Sequence, residues 1–192
     1  APLEATRVAL AALKLSLDLP ASNQALNYWQ IRRSSFALLR EHNEAGHRVA
    51  PFIDDVIVSP EHLAKFLPQF NEILQKHHMI YTIAGHIGNG NFHLIPLVNL
   101  ESELGRTDLL KVAEEVFQLT FSFGGSMAGE HNDGIIRTPF LAAMYGEETV
   151  QLFAKIKQIF DPQNIFNPGK KVGGTLEYAL AHLSHSNTSP HF

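Results

Sequence analysis

The stretch "AGHIGNGNFHLIPLV", residues 84–98, places Asn89-Gly90 between two apolar runs, with one histidine on each side. Asn-Gly between apolar runs is a strong hairpin signal, because a type I′ turn needs positive φ at both central residues. A two-residue turn at this point pairs His86 with His93. Side chains that face each other across a hairpin have Cβ atoms about 4.5–5.5 Å apart. We therefore predict a hairpin with both imidazoles on one face and apolar residues on the other.

Two imidazoles at that separation can bind one metal ion, since zinc–histidine bonds are about 2.0–2.1 Å long. A catalytic metal site also needs a third ligand and an open position. The segment "GGSMAGEHNDG" offers Glu130 and His131 side by side, with Asp133 close by. In the alternative interpretation the histidines only hydrogen-bond to backbone and carboxylates, and this segment is a polar loop.

The elements around the hairpin predict an α+β fold with a ferredoxin-like βαββαβ core and flanking helices. The core consists of a strand in "APFIDDVIVS", a helix capped by Ser59, the hairpin, a helix capped by Thr107 or Asp108, and a short edge strand in "GSMAGE". Pro68 is expected to kink or shorten the first of these helices. Flanking helices are predicted over residues 4–18, over 22–46 with a buried stripe of Leu26, Trp29, Phe36 and Leu39, and over 147–160.

Composition narrows the class of protein. The chain has 192 residues, a net charge of −4 and no cysteine. The charge argues against a nucleic-acid or polybasic membrane surface. The absence of cysteine excludes disulfides, thiolate metal sites and cysteine nucleophiles in this chain. No apolar stretch is long enough for a membrane span, so a cytoplasmic setting is the default expectation.

Three motifs together resemble a known family. "GHIGNGNFH", "GEHNDG" and "FDPQNIFNPGKK" are similar, in this order, to motifs of the C-terminal domain of FAD-linked oxidases. That family includes the glycolate oxidase D subunit, D-lactate dehydrogenase and D-2-hydroxyglutarate dehydrogenase. The resemblance covers roughly residues 22–174, so residues 1–21 are expected to be a helical extension and 175–192 a tail. "IDDVIVSPEHLAKFL" also resembles the family's strand-and-helix lead-in.

The resemblance implies a site and a reaction. His86, His93 and Glu130 would bind a divalent metal, zinc or manganese, and His131 would be the base that takes the hydroxyl proton of a small 2-hydroxy carboxylic acid. The C2 hydride would pass to FAD. The family's motifs carry aspartate where this chain has Asn89, and glycine where it has Asn132. The first difference suits a turn, and we expect it to alter the surroundings of the histidines.

The resemblance further implies residues for the substrate and the flavin. "WQIRRSSF" is similar to the family's arginine-bearing helix, so Arg32 or Arg33 would bind the substrate carboxylate, with Arg137 as an alternative. Two adjacent arginines on a helix are equally typical of a solvated face. Asn167 and Lys170 would contact the flavin side, although "NPG" is also an ordinary turn.

Nothing before residue 22 resembles a flavin-binding domain. We therefore expect a catalytic cap domain that needs an FAD-binding domain or subunit for turnover. Further partners that stay open are an electron-acceptor protein and other copies of the chain in a homo-oligomer. Two alternatives remain at this point. One is a metal-dependent hydrolase that uses the same His₂Glu set, and the other is a non-catalytic ferredoxin-like binding module.

Overall fold

The computed structural model describes residues 2–14, 21–41, 47–50 and 52–183. Helices and an antiparallel sheet make up these parts of the chain, which confirms the α+β class. The chain divides into two compact units, Ala1–His42 and Asn43–Phe192. Among the described helices, none has the length and apolar character that a membrane crossing requires.

The first unit consists of α1 (Pro2–Ala12) and α2 (Ser22–Glu41). The predicted buried stripe on α2 is wrong for Leu26 and Trp29, which are exposed. Within this unit α1 is the only other described element, and one short helix offers too little surface to cover such a stripe. Phe36 and Leu39 lie outside the side chains that are described, and the predicted ends of the two helices, at residues 18 and 46, also lie outside the described residues.

The sheet of the second unit is built around β4 (Asn91–Val98). β1 (Arg48–Val49), β2 (Val56–Ile57) and β3 (Ile80–Ala84) all pair with β4 in the antiparallel direction. The strand predicted within residues 50–59 is present but covers only Val56–Ile57. Asp55, at φ +73°, interrupts the extended backbone immediately before β2.

The hairpin between β3 and β4 forms, but its register differs from the prediction. Ala84, not His86, lies opposite His93. A 3₁₀ turn over Ile87–Asn89 lengthens the bend, and His86 exchanges backbone hydrogen bonds with Asn91 (3.1 and 3.3 Å). The observed pairing of β3 with β4 is shifted by two residues from the predicted pairing. Side chains along a strand alternate between the two faces of the sheet with a period of two. His86 and His93 consequently remain on one face of the sheet, as diagonal neighbours.

The opposite face of β4 packs against helices. A 3₁₀ turn at Pro60–His62 leads into α3 (Leu63–Lys76), whose Phe66 and Phe70 rings lie 6.1 and 6.4 Å from Phe92. α3 continues past the exposed Pro68 to Lys76, so the predicted shortening does not occur. α4 (Glu103–Ser122) begins earlier than predicted, because Ser102 is its cap and accepts a hydrogen bond from the Gly105 N–H.

Short helices follow the sheet. They are α5 (Gly134–Arg137), α6 (Leu141–Tyr145), α7 (Glu147–Phe160), which has the predicted bounds, and α8 (Leu176–Ala181). The predicted edge strand in "GSMAGE" is a single bridge between Ser126 and Ile57. The complete ferredoxin-like order and the predicted domain limits therefore stay predictions. Residues 184–192 of the predicted tail are not described.

Candidate metal and catalytic site

Three imidazoles converge on one carboxylate oxygen at the end of the hairpin. Glu130 Oε1 lies 2.9 Å from His93 Nε2, 3.4 Å from His131 Nε2 and 3.9 Å from His86 Nε2. The rings of His93 and His131 are nearly parallel, with centroids 4.9 Å apart and an interplanar angle of 11°. The four residues singled out from the two sequence motifs thus lie together in the folded chain.

Different parts of the fold supply these side chains. His93 lies on the central strand β4, on the face opposite Phe92 and Leu94, and His86 precedes the 3₁₀ turn of the hairpin. Glu130 and His131 arrive from the loop after α4. Asn132 in this loop has φ +63°, a left-handed conformation that glycine and asparagine adopt most easily. This explains why asparagine is tolerated where the family motif has glycine.

Asp55 anchors the Glu130–His131 loop. Its Oδ2 accepts hydrogen bonds from the backbone N–H groups of Glu130 (2.9 Å) and His131 (2.7 Å), and its Oδ1 accepts one from Asn91 Nδ2 (2.9 Å). The side chain is fully buried. Gly129 permits this approach, because a Cβ there would lie 2.7 Å from Asn91 Nδ2.

The surroundings of Asp55 keep its carboxylate ionised. Burial alone acts to raise its pKa, but the hydrogen bonds from His131, Glu130 and Asn91, with the nearby charge of Arg137, outweigh burial and hold the pKa below the ordinary value of 3.8. Asp55 also lies close enough to the cluster for an oxygen to join a metal-binding group with His93, Glu130 and His131. Since both its oxygens already accept hydrogen bonds, we assign Asp55 to holding the loop.

Asp54 contacts two of the imidazoles on the side that faces away from Glu130. Its Oδ1 lies 2.8 Å from His93 Nδ1, and its Oδ2 lies 3.1 Å from His131 Nδ1. Arg137 Nη2 is 3.9 Å from the same Oδ2. The Nδ1 atoms of His93 and His131 therefore both face the Asp54 carboxylate, and the Nε2 atoms of both rings face Glu130.

The spacing of these atoms fits a bound cation. Four ligands at about 2.0–2.1 Å in tetrahedral geometry are about 3.3 Å from one another. The observed separations from Glu130 Oε1, 2.9 to 3.9 Å, bracket this value. An ionised carboxylate only accepts hydrogen bonds, so neutral His93 and His131 donate Nδ1–H to Asp54 and keep a lone pair on Nε2. Those lone pairs point at a carboxylate oxygen, an arrangement that a cation or additional protons must stabilise.

Burial distinguishes the members of the cluster. The His93 side chain is 11% exposed, whereas the side chains of His131 and Glu130 are 49% and 44% exposed. His93 is therefore suited to a fixed ligand, and His131 is open to a small molecule approaching the cluster.

Of the three predicted substrate-binding arginines, Arg137 borders the cluster through Asp54. Arg137 in α5 is buried and donates to the Asn132 carbonyl, so its guanidinium supports the cluster from within. Arg32 and Arg33 belong to α2 in the first unit, where Arg32 Cζ is 5.9 Å from the Trp29 ring centroid. The substrate-binding roles of these three arginines stay predictions.

The flavin-side candidates lie in the segment after α7. Asn167, at φ +48°, is exposed, and its carbonyl accepts a hydrogen bond from the Lys170 N–H. Asp161 organises the start of this segment, because it accepts bonds from the N–H groups of Ile165 and Phe166. Contact of Asn167 and Lys170 with a flavin also stays a prediction.

The sequence motifs did not indicate Asp54 and Asp55 as members of the site. Their signal was present in "PFIDDVIV", where two adjacent acidic residues interrupt an apolar run. Acidic residues are almost never fully buried unless they are paired. A pair inside a stretch expected to be buried therefore indicates polar partners from another part of the chain.

Comparison with known proteins identifies the family. The pattern of the family described as "FAD linked oxidases, C-terminal domain" matches residues 8–171. The chain belongs to this family. A similar fold occurs in 4-ethylphenol oxidase from Gulosibacter chungangensis, with a TM-score of 0.54, 20% sequence identity, and coverage of 84% of this chain and 33% of that one.

Relatives of known activity are considerably longer than this chain. D-2-hydroxyglutarate dehydrogenase of Escherichia coli is 32% identical over 142 residues, which cover 74% of this chain and 14% of that protein. Mitochondrial D-lactate dehydrogenase [cytochrome] of Arabidopsis thaliana is 31% identical, with 75% and 25% covered. For glycolate oxidase subunit GlcD of Bacillus subtilis the identity is 27%, with 73% and 31% covered. The matched region thus spans under a third of each relative, and it corresponds to a C-terminal domain of oxidoreductases that act on hydroxy acids.

Proposed function

We propose that this chain is the metal-binding and substrate-binding catalytic domain of an FAD-dependent 2-hydroxy acid dehydrogenase or oxidase. The observation that carries the proposal is the convergence of three imidazole Nε2 atoms on Glu130 Oε1. Family membership and relatives named for hydroxy-acid oxidation support the reaction class. The same membership favours this hypothesis over the hydrolase and over the non-catalytic binding module.

In this proposal His86, His93 and Glu130 hold a divalent cation, zinc or manganese. A cation there supplies positive charge that lowers the pKa of a bound hydroxyl group. The spacing also admits a second ligand set, in which His131 replaces His86, since His131 Nε2 is the nearer of the two to Glu130. We favour His86 as the ligand, because this leaves the exposed His131 available for proton transfer.

The protein's own groups would then act on the substrate as follows. His131 accepts the proton of the C2 hydroxyl at Nε2, the nitrogen that faces away from Asp54. Arg32 or Arg33 binds the substrate carboxylate through the two parallel N–H groups of a guanidinium. FAD, held by a separate domain or subunit, supplies the two-electron acceptor, and Asn167 and Lys170 face that domain.

The openness of the cluster supports the need for a second domain. The side chains of His86, Glu130 and His131 are each at least 44% exposed, so water has free access to them in this unit. Exclusion of water strengthens electrostatic catalysis and protects reactive groups. We therefore propose that turnover requires an FAD-binding domain that covers the cluster. We also propose that an electron-acceptor protein takes part in the reaction and that the protein is located in the cytoplasm.

The metal content of purified protein tests the proposal. We expect about one equivalent of zinc or manganese per chain, lost in His93→Ala and Glu130→Ala because each removes one of three ligands. His182→Ala is the matched control, since its imidazole contacts only the Tyr178 carbonyl and ring among the contacts described. Elemental analysis after dialysis against a weak chelator gives the stoichiometry.

Two further variants distinguish the ligand sets. His86→Gln should lose the metal and His131→Gln should keep it if His131 is the base, and the reverse result would assign His131 as the ligand. Retention of metal in both His93→Ala and Glu130→Ala would refute the site altogether. A metal-free wild-type chain would instead favour a cluster held together by protonated histidines.

A further inference from the structure

Asp54 occupies a position that none of the three sequence motifs contains. It lies directly before Asp55, in the interruption between β1 and β2, and its side chain is 14% exposed. One oxygen contacts His93 Nδ1 and the other contacts His131 Nδ1. These histidines come from a strand and from a distant loop, so Asp54 is a shared partner of two separate parts of the site.

The chemistry of this contact restricts both rings. An ionised carboxylate has no proton to donate, so each Nδ1 that faces it must carry the hydrogen. A neutral imidazole has only one N–H, and the opposite nitrogen, Nε2, is then a lone-pair donor. The near-parallel stacking of the rings, at 11°, directs both lone pairs toward the same side, where Glu130 lies.

We propose that Asp54 is a positioning residue that fixes His93 and His131 together in the Nδ1–H tautomer. One carboxylate thereby prepares one imidazole to bind a cation and its neighbour to accept a proton. The inference rests on the proposed function, because without a cation the two Nε2 lone pairs would face the Glu130 carboxylate at 2.9 and 3.4 Å. The Arg137 guanidinium, 3.9 Å from Asp54 Oδ2, and the neighbouring anchored Asp55 keep the carboxylate in place.

Asparagine at position 54 would break the arrangement in a specific way. Its amide has one acceptor oxygen and one donor nitrogen, so it can accept from only one of the two rings. The ring that faces the NH₂ group must move its hydrogen to Nε2 or rotate away. A longer glutamate keeps both acceptors but displaces them by one methylene group.

Nitrogen NMR of the 192-residue chain tests the tautomers directly. Long-range ¹H–¹⁵N spectra of ¹⁵N-histidine-labelled protein loaded with one equivalent of zinc distinguish rings that carry the hydrogen on Nδ1 from rings that carry it on Nε2. His93→Gln and His131→Gln assign the signals. We expect both rings in the Nδ1–H form in the wild type, one ring converted in Asp54→Asn, and both restored in Asp54→Glu. An Nε2–H or doubly protonated ring at either position in the wild type would overturn the inference.

Zinc affinity provides the second readout. Titration with zinc against a competing chelator should show a loss of about 10- to 100-fold in Asp54→Asn, the range typical when the partner of a metal-binding histidine is removed. Glu115→Gln is the matched control, because it removes another carboxylate from a histidine, His77, away from the cluster. Unchanged zinc affinity in a folded Asp54→Asn protein would refute the positioning role.

The two experiments separate the two hypotheses. If the wild type binds no zinc, the proposed metal site fails, and spectra of metal-free Glu130→Gln, which removes the carboxylate on the Nε2 side, decide the role of Asp54. If Asp54→Asn does not fold, the wild-type and Asp54→Glu spectra decide it alone. Circular dichroism of each variant establishes whether it is folded.

Discussion

Gly88 and Gly90 lie two residues apart in the same bend, but the structure constrains them differently. Gly90 has φ +76°, and a Cβ there would lie 1.8 Å from the Val58 carbonyl oxygen. Gly88 does not have positive φ, and no atom lies within 4 Å of a Cβ built on it. Backbone contact with the β2 segment, not only turn geometry, therefore requires glycine at position 90.

Substitution by alanine should separate the two positions. We expect Gly90→Ala to lower the free energy of unfolding by about 2 kcal/mol or more, since it combines left-handed strain with a backbone clash. Gly88→Ala should change it by no more than about 0.5 kcal/mol. Urea unfolding followed by circular dichroism measures both values. Equal effects of the two substitutions would contradict this account of the bend.

At the scale of elements, α3 and α4 are joined by a small charged cluster. Glu115 on α4 accepts hydrogen bonds from Lys76 Nζ (2.8 Å) and contacts His77 Nε2 (3.0 Å), both at the end of α3. These two partners lower the pKa of Glu115 below its ordinary value of 4.5, against a smaller opposing effect of desolvation. The carboxylate therefore stabilises the contact between the helices only while it is ionised.

The lowered pKa of Glu115 determines how the free energy of unfolding depends on pH. Because the folded-state pKa is lowered, the contribution is fully present above the unfolded-state value near 4.5 and is lost as pH falls through the folded-state pKa. Glu115 is partly exposed, so we expect roughly 0.5 kcal/mol. Glu115→Gln should lower stability at pH 7 and have little effect at pH 3. Urea unfolding at both pH values measures this, and Glu114→Gln, which has no contact of this kind among those described, is the control.

The surface of the second unit bears an apolar face on α7. We define it by Leu152, Ile156, Ile159 and Phe160, which recur at the spacing of one helical face. All four are exposed, Ile159 to 73% and Phe160 to 81%, and α7 contains no buried residue. Contiguous apolar surface of this kind marks a site of association in soluble proteins.

The isolated chain should therefore self-associate through this face. We expect sedimentation velocity to show concentration-dependent association of the wild type, reduced in Phe160→Asp, because a charge there opposes burial of the α7 face. Leu104→Asp is the matched control, since Leu104 is 68% exposed on α4, outside the α7 face. A similar response of both variants would show that the α7 face has no special role.

Local sequence determined much of this protein. Turn chemistry and apolar periodicity predicted the hairpin, α3 and the bounds of α7, because these depend on residues close together in the chain. The alternation of side chains along a strand kept His86 and His93 on one face even though the predicted register was wrong. The motifs also indicated Glu130 and His131 as their companions.

Only the tertiary structure decided how these groups are held. The hairpin register depends on the close approach of Gly90 to Val58, and the break between β1 and β2 depends on partners that Asp55 finds 75 and 76 residues away. Asp54 likewise contacts histidines 39 and 77 residues along the chain. Periodicity and turn signals describe neighbours in sequence, whereas a buried carboxylate is stabilised by whichever donors folding brings to it. For that reason the sequence indicated the histidines and the glutamate of the candidate site, but it did not indicate the carboxylates that orient the histidines.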